Sequence, residues 1–225
     1  MLFGTSLLFI CSHLTAHAEK VKERIHDARR IIGSLELPKQ LPVRHRSKDA
    51  TKNYDCVFWC GDLNFRLDHN REDVINWATC EQAFPADGPL ILDGDQLKQV
   101  MAEGAAFHDF LEGPIMFPPT YKYDPGTDNF DSSSKRRTPA YTDRILFRSR
   151  TSGDLNCEKY SSASQVMTSD HKPVWGLYKT KLRPGKDTIP LAAGQFNRDV
   201  YLEGMKRRAN AMDRRQGLST VCSLQ

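Results

Sequence analysis

The stretch Val57-Phe58-Trp59-Cys60-Gly61-Asp62-Leu63-Asn64-Phe65-Arg66 constrains the fold more than any other in the chain. Its short apolar run predicts a buried strand, and the Gly-Asp-x-Asn that follows ends the strand in a sharp turn. A carboxylate and a carboxamide then project together at the C-terminal edge of the strand, where α/β sheets bind ligands. Two oxygen-bearing side chains two residues apart suit a hard cation, a phosphate or an attacking water. Asp and Asn after a strand also serve as turn formers that bond their own backbone, so the motif alone leaves both readings open.

The 225 residues can bury one good core. A hydrophobic fraction of 39% and a charged fraction of 27% are those of a soluble globular chain rather than a disordered one. The six cysteines, at 11, 56, 60, 80, 157 and 222, follow no metal-ligand or disulfide-scaffold spacing and are expected to be free thiols in a reducing compartment. The apolar run Leu2 to Cys11 followed by Ala16-His17-Ala18 imitates a secretory signal, but no Lys or Arg precedes it, and a buried strand is the better reading. No apolar run approaches the roughly 20 residues of a membrane-spanning helix.

From Glu19 to Leu35 the residues Val21, Ile25, Ala28, Ile32 and Leu35 recur at helical spacing. This predicts an amphipathic helix covered outside by Lys20, Lys22, Glu23, Arg24, Arg29 and Arg30, and closed by Pro38 and Pro42. Arg44 to Asn53 reads as a charged loop. Further helices are expected over Arg71–Glu81 and Gly94–Glu103, the second capped by Asp93 or Asp95 with Leu97, Val100 and Met101 on one face. The prolines at 114, 118 and 119 make Phe107–Phe117 an irregular connector, and Thr120–Asn129 is turn-like. A loop from Thr138 feeds a strand ending near Phe147, Tyr160–Met167 reads as another strand, and Thr168–Pro173 turns into the strand Val174–Leu182. Strands alternating with helices indicate an α/β domain.

Three polar clusters thus sit at strand ends: Asp62 with Asn64, Asp143 with Arg144, and Asp170 with His171. Each has a structural reading, since Asp143 could pair locally with Arg144 and Asp170-His171 before Pro173 could be an ordinary turn. Together with the cationic loop Lys135-Arg136-Arg137 they are the parts that metal-assisted phosphate hydrolysis needs.

Five ordered blocks carry a family resemblance: Ser12-His13-Leu14 with Ala16-His17, Gly61–Arg66, Tyr121-Lys122-Tyr123-Asp124 through Lys135-Arg136-Arg137, Pro139–Leu146, and Ser169–Val174. The chain resembles the inositol polyphosphate 5-phosphatases over about Phe3 to Lys181. The resemblance implies a DNase-I-like endonuclease/exonuclease/phosphatase sandwich, two packed sheets flanked by helices. It also implies Mg²⁺ as cofactor, with Asp62 and Asp170 in contact with it, and Asp62 acting on the attacking water beside Asn64. His171, held by Asp143, and His13 are implied to stabilise the transferring phosphoryl group. Tyr121, Lys122, Lys135 and Arg137 align with the residues that grip a neighbouring 4-phosphate. The chain departs from the family where Arg24 is followed by Ile25 rather than Asn, and where Tyr141 replaces a common Trp. The family domain also opens with strands bearing an Asn and the main metal-binding Glu, which would precede Met1. Residues 1–182 are accordingly expected to be an incomplete catalytic domain, its activity in doubt.

The net charge of +4 belongs to the remainder. Eight of the 32 Lys/Arg and four of the 28 Asp/Glu lie from Arg183 onward, which leaves 24 of each sign before it. This tail, 183–225, offers a basic amphipathic helix with Tyr201, Met205, Ala209 and Met212 on one face, and it ends Cys222-Ser223-Leu224-Gln225. A terminal C-a-a-X box with Gln last favours farnesylation of Cys222, and one lipid plus a basic patch suffices for stable attachment to an anionic membrane. Within the family, such a tail resembles a branch that acts on membrane phosphoinositides at the Golgi and the primary cilium and is carried by a prenyl-binding chaperone. The expected substrates are phosphatidylinositol 4,5-bisphosphate and 3,4,5-trisphosphate, with 3,5-bisphosphate as a third. A catalytically inactive, prenylated membrane- or partner-binding fragment is the alternative; a nuclease of the same fold is disfavoured by the cationic loop and the C-a-a-X box, so no nucleic-acid partner is expected.

Overall fold

The strand foreseen before Gly61-Asp62 forms and lies between two others. In the computed structural model, which describes Leu2 and residues 5–37, 47–80 and 90–182, β2 (Cys56–Asp62) pairs in parallel with β1 (Leu7–Cys11) and antiparallel with β4 (Asp143–Ser149). A two-residue strand β3 (Leu111–Glu112) adds to β4, giving the order β1-β2-β4-β3. A second sheet is the antiparallel pair β5 (Leu155–Ser162) and β6 (Val174–Thr180). The helices are α1 (Val21–Ser34), α2 (Arg71–Ala78) and α3 (Gln96–Ala102), with 3-10 turns at Ala50–Asn53 and Leu90–Gly94. The described residues fall within one compact unit, Met1–Pro184.

Alternation along the strands divides the core in two. Leu8, Ile10, Val57, Trp59 and Leu146 face one side of the larger sheet and pack with Ala28 of α1, Leu97 and Val100 of α3, and Phe107 and Phe110. Cys56, Phe58 and Phe147 face the other side, toward Leu155 and Tyr178 of the smaller sheet. Two faces covered by different partners explain why β2 reads as an unbroken apolar run.

A buried guanidinium joins these layers. On β4, Arg144 forks onto Glu112 through Nε and Nη2 at 2.7 and 2.6 Å and reaches Asp95 Oδ2 at 2.8 Å through Nη1. Asp95 uses its other oxygen to cap α3 at Lys98 N, and Glu112 also accepts from the Tyr160 hydroxyl of β5. That hydroxyl in turn accepts from Ile145 N. One cation therefore links both sheets and a helix.

Several expectations are corrected. Arg24 is not on the outer face of α1 but fully buried, because position 24 falls on the same stripe as Ala28 and loop carbonyls meet its guanidinium. The strand placed at Tyr160–Met167 runs instead over Leu155–Ser162, where a bulge between Cys157 and Lys159 breaks the alternation. The Phe107–Phe117 connector contains β3. The charged loop ends in a 3-10 turn with Thr51 buried, and the opening strand starts at Leu7 rather than Leu2. Asp143 does not pair with Arg144, which turns to Asp95 and Glu112. Asp95, not Asp93, caps α3. Cys11, Cys56, Cys60, Cys80 and Cys157 are free thiols, as expected. Pro38, Pro42, Glu81 and the whole tail with Cys222 lie outside the described residues. Among the described residues no helix is long and apolar enough to cross a membrane.

Removing Arg144 leaves two buried carboxylates without their counterion, a loss of about 3–5 kcal/mol for pairs of this kind. Arg144→Met is expected to lower the urea midpoint of the chain by a large margin. Glu23→Gln, which breaks the exposed Lys20–Glu23 pair, should leave the midpoint where it was.

Candidate active site

The register of β2 against β4 sets Asp62 directly opposite Asp143, with Gly61 opposite Arg144. Like charges facing each other across a ladder are unfavourable, so the pair marks a place where something other than stability is served. The sharp turn needs Gly61: at φ 126°, a Cβ there would lie 2.1 Å from the Ser12 carbonyl oxygen. That close approach draws in the segment after β1, where Ser12 N donates to Cys60 O and Leu14 N to Asp62 O. His13 between them brings Nε2 to 3.4 Å from Asp62 Oδ2, its ring largely exposed.

Asn64 takes a left-handed conformation with φ 57°. Its backbone N–H donates to Asp62 Oδ1 at 3.0 Å, its Nδ2 donates to Leu14 O at 3.0 Å, and its Oδ1 accepts from Arg66 Nη2 at 2.5 Å. The turn-former reading of this motif holds: the Asx bond exists, and it fixes the carboxylate in place.

His171 arrives from the loop before β6. Its Nδ1 lies 2.7 Å from Asp143 Oδ2, and the same oxygen accepts from the Thr142 hydroxyl at 3.0 Å. With Nδ1 so engaged, Nε2 is the nitrogen left for a further partner. The Tyr121 ring packs against the imidazole at 4.5 Å between centroids and carries the Arg66 guanidinium 4.8 Å from its own centroid. The segment around Tyr121 is tied on both sides by backbone bonds, to Ala140 in both directions, from Lys172 N to Thr120 O, and from Tyr123 N to Asp170 O. Lys122 Nζ stands 3.4 Å from Asp170 Oδ2.

Asp62, Asn64 and His13 therefore meet at one strand end, and Asp143, His171 and Tyr121 meet at its neighbour. Lys122 pairs with Asp170, the residue next to His171. Lys135 and Arg137 line a cavity of about 450 Å³ together with Arg66, His69 and Asn70. Their loop is folded around the buried Asp131, whose carboxylate accepts from Ser133 N and Arg137 N at 3.1 and 2.8 Å. Sequence reasoning passed over Arg66 and Thr142, although each lies inside a quoted motif within two residues of a site residue.

The electrostatics follow from this crowding. Burial, and then the charge of Asp143, push the Asp62 carboxyl above the usual carboxylate range. For His171 burial acts to lower the pKa, but the bond and charge of Asp143, with Asp62 and Asp170 nearby, outweigh it and raise the imidazole above its ordinary value. Two facing carboxylates, Asp143 bonded to His171 and Asp62 beside His13, put hard oxygen donors of the kind a divalent cation takes at one edge, and Mg²⁺ commonly uses only one or two carboxylates with waters and phosphate oxygens completing its shell. Among the described residues no three His, Cys, Asp or Glu side chains converge to hold a metal by themselves.

A family model described as endonuclease/exonuclease/phosphatase family 2 matches residues 1–177. Phosphatidylinositol polyphosphate 5-phosphatase type IV of Homo sapiens is 47% identical over 232 residues, covering 99% of this chain and 36% of that protein. Synaptojanin-2 of Rattus norvegicus is 36% identical, covering 80% of this chain and 13% of its own length. The chain thus spans about a third or less of the curated relatives it matches. Among solved structures, the inositol polyphosphate 5-phosphatase domain of SPsynaptojanin, in complex with inositol (1,4)-bisphosphate and calcium ion, matches with a TM-score of 0.63 at 37% identity. The match covers 78% of this chain and 48% of that one. A Cimex nitrophorin, at 24% identity and a TM-score of 0.54 over 78% of this chain and 55% of its own, shares the fold alone.

A raised histidine pKa means that the His171–Asp143 interaction contributes its full stabilisation below the free-histidine value of about 6.5 and loses it as pH rises through the folded value. In Mg²⁺-free buffer, the His171 ring resonances should titrate above the free value. Asp143→Asn should bring that midpoint down and remove the associated loss of stability on the alkaline side.

Proposed function

The chain belongs to endonuclease/exonuclease/phosphatase family 2, and on that premise we propose that it hydrolyses the 5-phosphate of membrane phosphoinositides with Mg²⁺ as cofactor. The observation that carries this reading is the meeting of a carboxylate of raised pKa with a carboxylate-bound imidazole, Asp62 beside Asp143–His171, at adjacent strand ends. One similar protein is, by its name, a phosphatidylinositol polyphosphate 5-phosphatase, which supports the same substrate class here.

Asp62 orients the attacking water and takes its proton; a carboxyl raised by burial is better matched to that task at neutral pH than an exposed one. Asn64 holds Asp62 through its backbone N–H. His171, whose protonated form Asp143 favours, faces the developing charge on the phosphoryl oxygens, and His13 adds a second imidazole beside Asp62. Asp62 and Asp170 would hold the cation, which when bound neutralises phosphate charge and stabilises the leaving inositol oxygen. Lys122 keeps Asp170 in place, and with Tyr121, Lys135 and Arg137 it forms the grip on a neighbouring 4-phosphate, a dianion well matched by ammonium and guanidinium groups.

The same reading extends to residues 183–225. Farnesyl-Cys222 and the basic helix would attach the chain to anionic membranes, with a prenyl-binding chaperone delivering it to the Golgi and the primary cilium. The support is the sequence of that segment.

The chain should release phosphate from vesicles containing phosphatidylinositol 4,5-bisphosphate in Mg²⁺ and not in EDTA, and Asp62→Ala should reduce the rate by about 10²–10⁴-fold. Release that ignores Mg²⁺ or survives Asp62→Ala would end the hydrolytic reading; a silent chain that still binds membranes would make it a prenylated binding fragment. Lys135→Ala with Arg137→Ala should raise KM for the 4,5-bisphosphate far more than for a lipid phosphorylated at position 5 alone. Recruitment to membranes in cells should be lost on Cys222→Ser.

A further inference from the structure

A buried amide outside the pocket ties together two segments at the Asp62 end of the site. We propose that Gln96, on the first turn of α3, is a positioning residue that fixes the Asn64–Asp62 corner and the segment after His13 relative to one another. The inference rests on the hydrolytic reading of Asp62 and Asn64 given above.

Gln96 is buried, and each of its polar atoms is used twice. Its Oε1 accepts from Arg66 N at 3.0 Å and from Arg24 Nη2 at 2.8 Å, and its Nε2 donates to Asp68 Oδ1 at 2.8 Å and to Ala18 O at 3.2 Å. On one side Arg66, set by that backbone bond, donates from Nε to Asn64 O and from Nη2 to Asn64 Oδ1. Asn64 then donates to Asp62 Oδ1. On the other side Arg24 donates to the carbonyls of Thr15, His17 and Ala18, closing the loop that begins at His13. The two sides rejoin where Asn64 Nδ2 meets Leu14 O.

The path can carry positional information because it leaves no slack. Arg24 stands over the Phe65 ring at 4.9 Å, and Gln96 is its one side-chain acceptor among the described residues. No carboxylate contacts it there; burial, with the charge of Arg66, draws its pKa down to about 10. The neutral amide takes a charge-assisted bond from Arg24, gives one to Asp68 and accepts a backbone bond from Arg66, so its loss releases three segments from one another. In hydrogen-bonded chains of this kind the effects of neighbouring members are not additive.

The test uses the full 225-residue chain and two variants. Gln96→Met keeps the volume and removes every polar contact; Gln96→Glu, made together with Asp68→Asn so that their bond survives with its donor reversed and the net charge is unchanged, keeps the shared acceptor for Arg24 and Arg66. Against phosphatidylinositol 4,5-bisphosphate vesicles in Mg²⁺, Gln96→Met should lower kcat about 10²-fold, the scale of a misplaced reacting group, with KM within about twofold. In an Asn64→Ala background, which removes the side-chain links to Arg66 Nη2 and Leu14 O but keeps the backbone ones, the same substitution should cost clearly less than its roughly 10²-fold effect on the wild-type chain. Multiplying losses in that background, or a rise in KM with kcat intact, would overturn the proposal. The second readout needs no substrate: the Asn64 side-chain ¹⁵N–H resonances, assigned by their disappearance in Asn64→Ala, should shift in Gln96→Met and stay in place in Gln96→Glu with Asp68→Asn. Resonances unmoved by Gln96→Met, or moved equally by both variants, overturn the positioning role. If Gln96→Met does not fold, Gln96→Glu with Asp68→Asn decides, since a shift there is enough to reject it. A silent wild-type chain would strike the hydrolytic reading while leaving these resonances to judge Gln96.

Discussion

Arg144 is the group on which the rest of the structure depends. Its guanidinium is fully enclosed, and four of its hydrogen bonds go to a strand carboxylate, a helix-capping carboxylate and a carbonyl of its own loop. Burying a charge so completely is tolerable only because both carboxylates approach with good geometry and have other donors of their own. The result is a fixed point directly beside Asp143 in the chain. The neighbour that points the other way from β4 inherits that rigidity, and it is the residue that holds His171.

The site itself is built from unfavourable parts. Asp62 and Asp143 repel, Gly61 and Asn64 adopt left-handed backbone, and Asp62 is desolvated. Each would be expensive in isolation. Their neighbours offset the cost: Asn64 N–H and His13 for Asp62, Thr142 and His171 for Asp143. Strain of this kind, supported from all sides, is what a preorganised reacting centre looks like.

Much of this was legible in the sequence, for identifiable reasons. An apolar run with Gly-Asp-x-Asn at its end fixes a strand, its turn and the projecting groups in one short window, and the helical spacing of Val21, Ile25, Ala28 and Ile32 fixes α1. Arg24 was misread because its charge hid a position that periodicity places beside Ala28; only the loop carbonyls and Gln96, 72 residues away, make burial tolerable there. Strand β5 was misplaced because Glu158 and Lys159 sit at a bulge on a sheet with one solvated face. The meeting of His171 with Asp143, 28 residues apart and carried by elements of different sheets, is a property of tertiary packing that no local pattern contains. It was reached by resemblance, not by spacing.

The backbone bonds around Tyr121 have a consequence for how such a protein can change over evolutionary time. The segment bearing Tyr121 and Lys122 is laced to the stretch bearing Asp170 and His171 and to Ala140, so under the proposed function recognition and reaction share one frame. New preferences can be explored by exchanging side chains at 122, 135 and 137, which project from that frame or from its neighbouring loop. Lengthening or shortening the 120–123 segment would drag the imidazole with it. Diversification is therefore channelled into side-chain identity, and loop length, the usual playground of enzyme families, is closed at this edge.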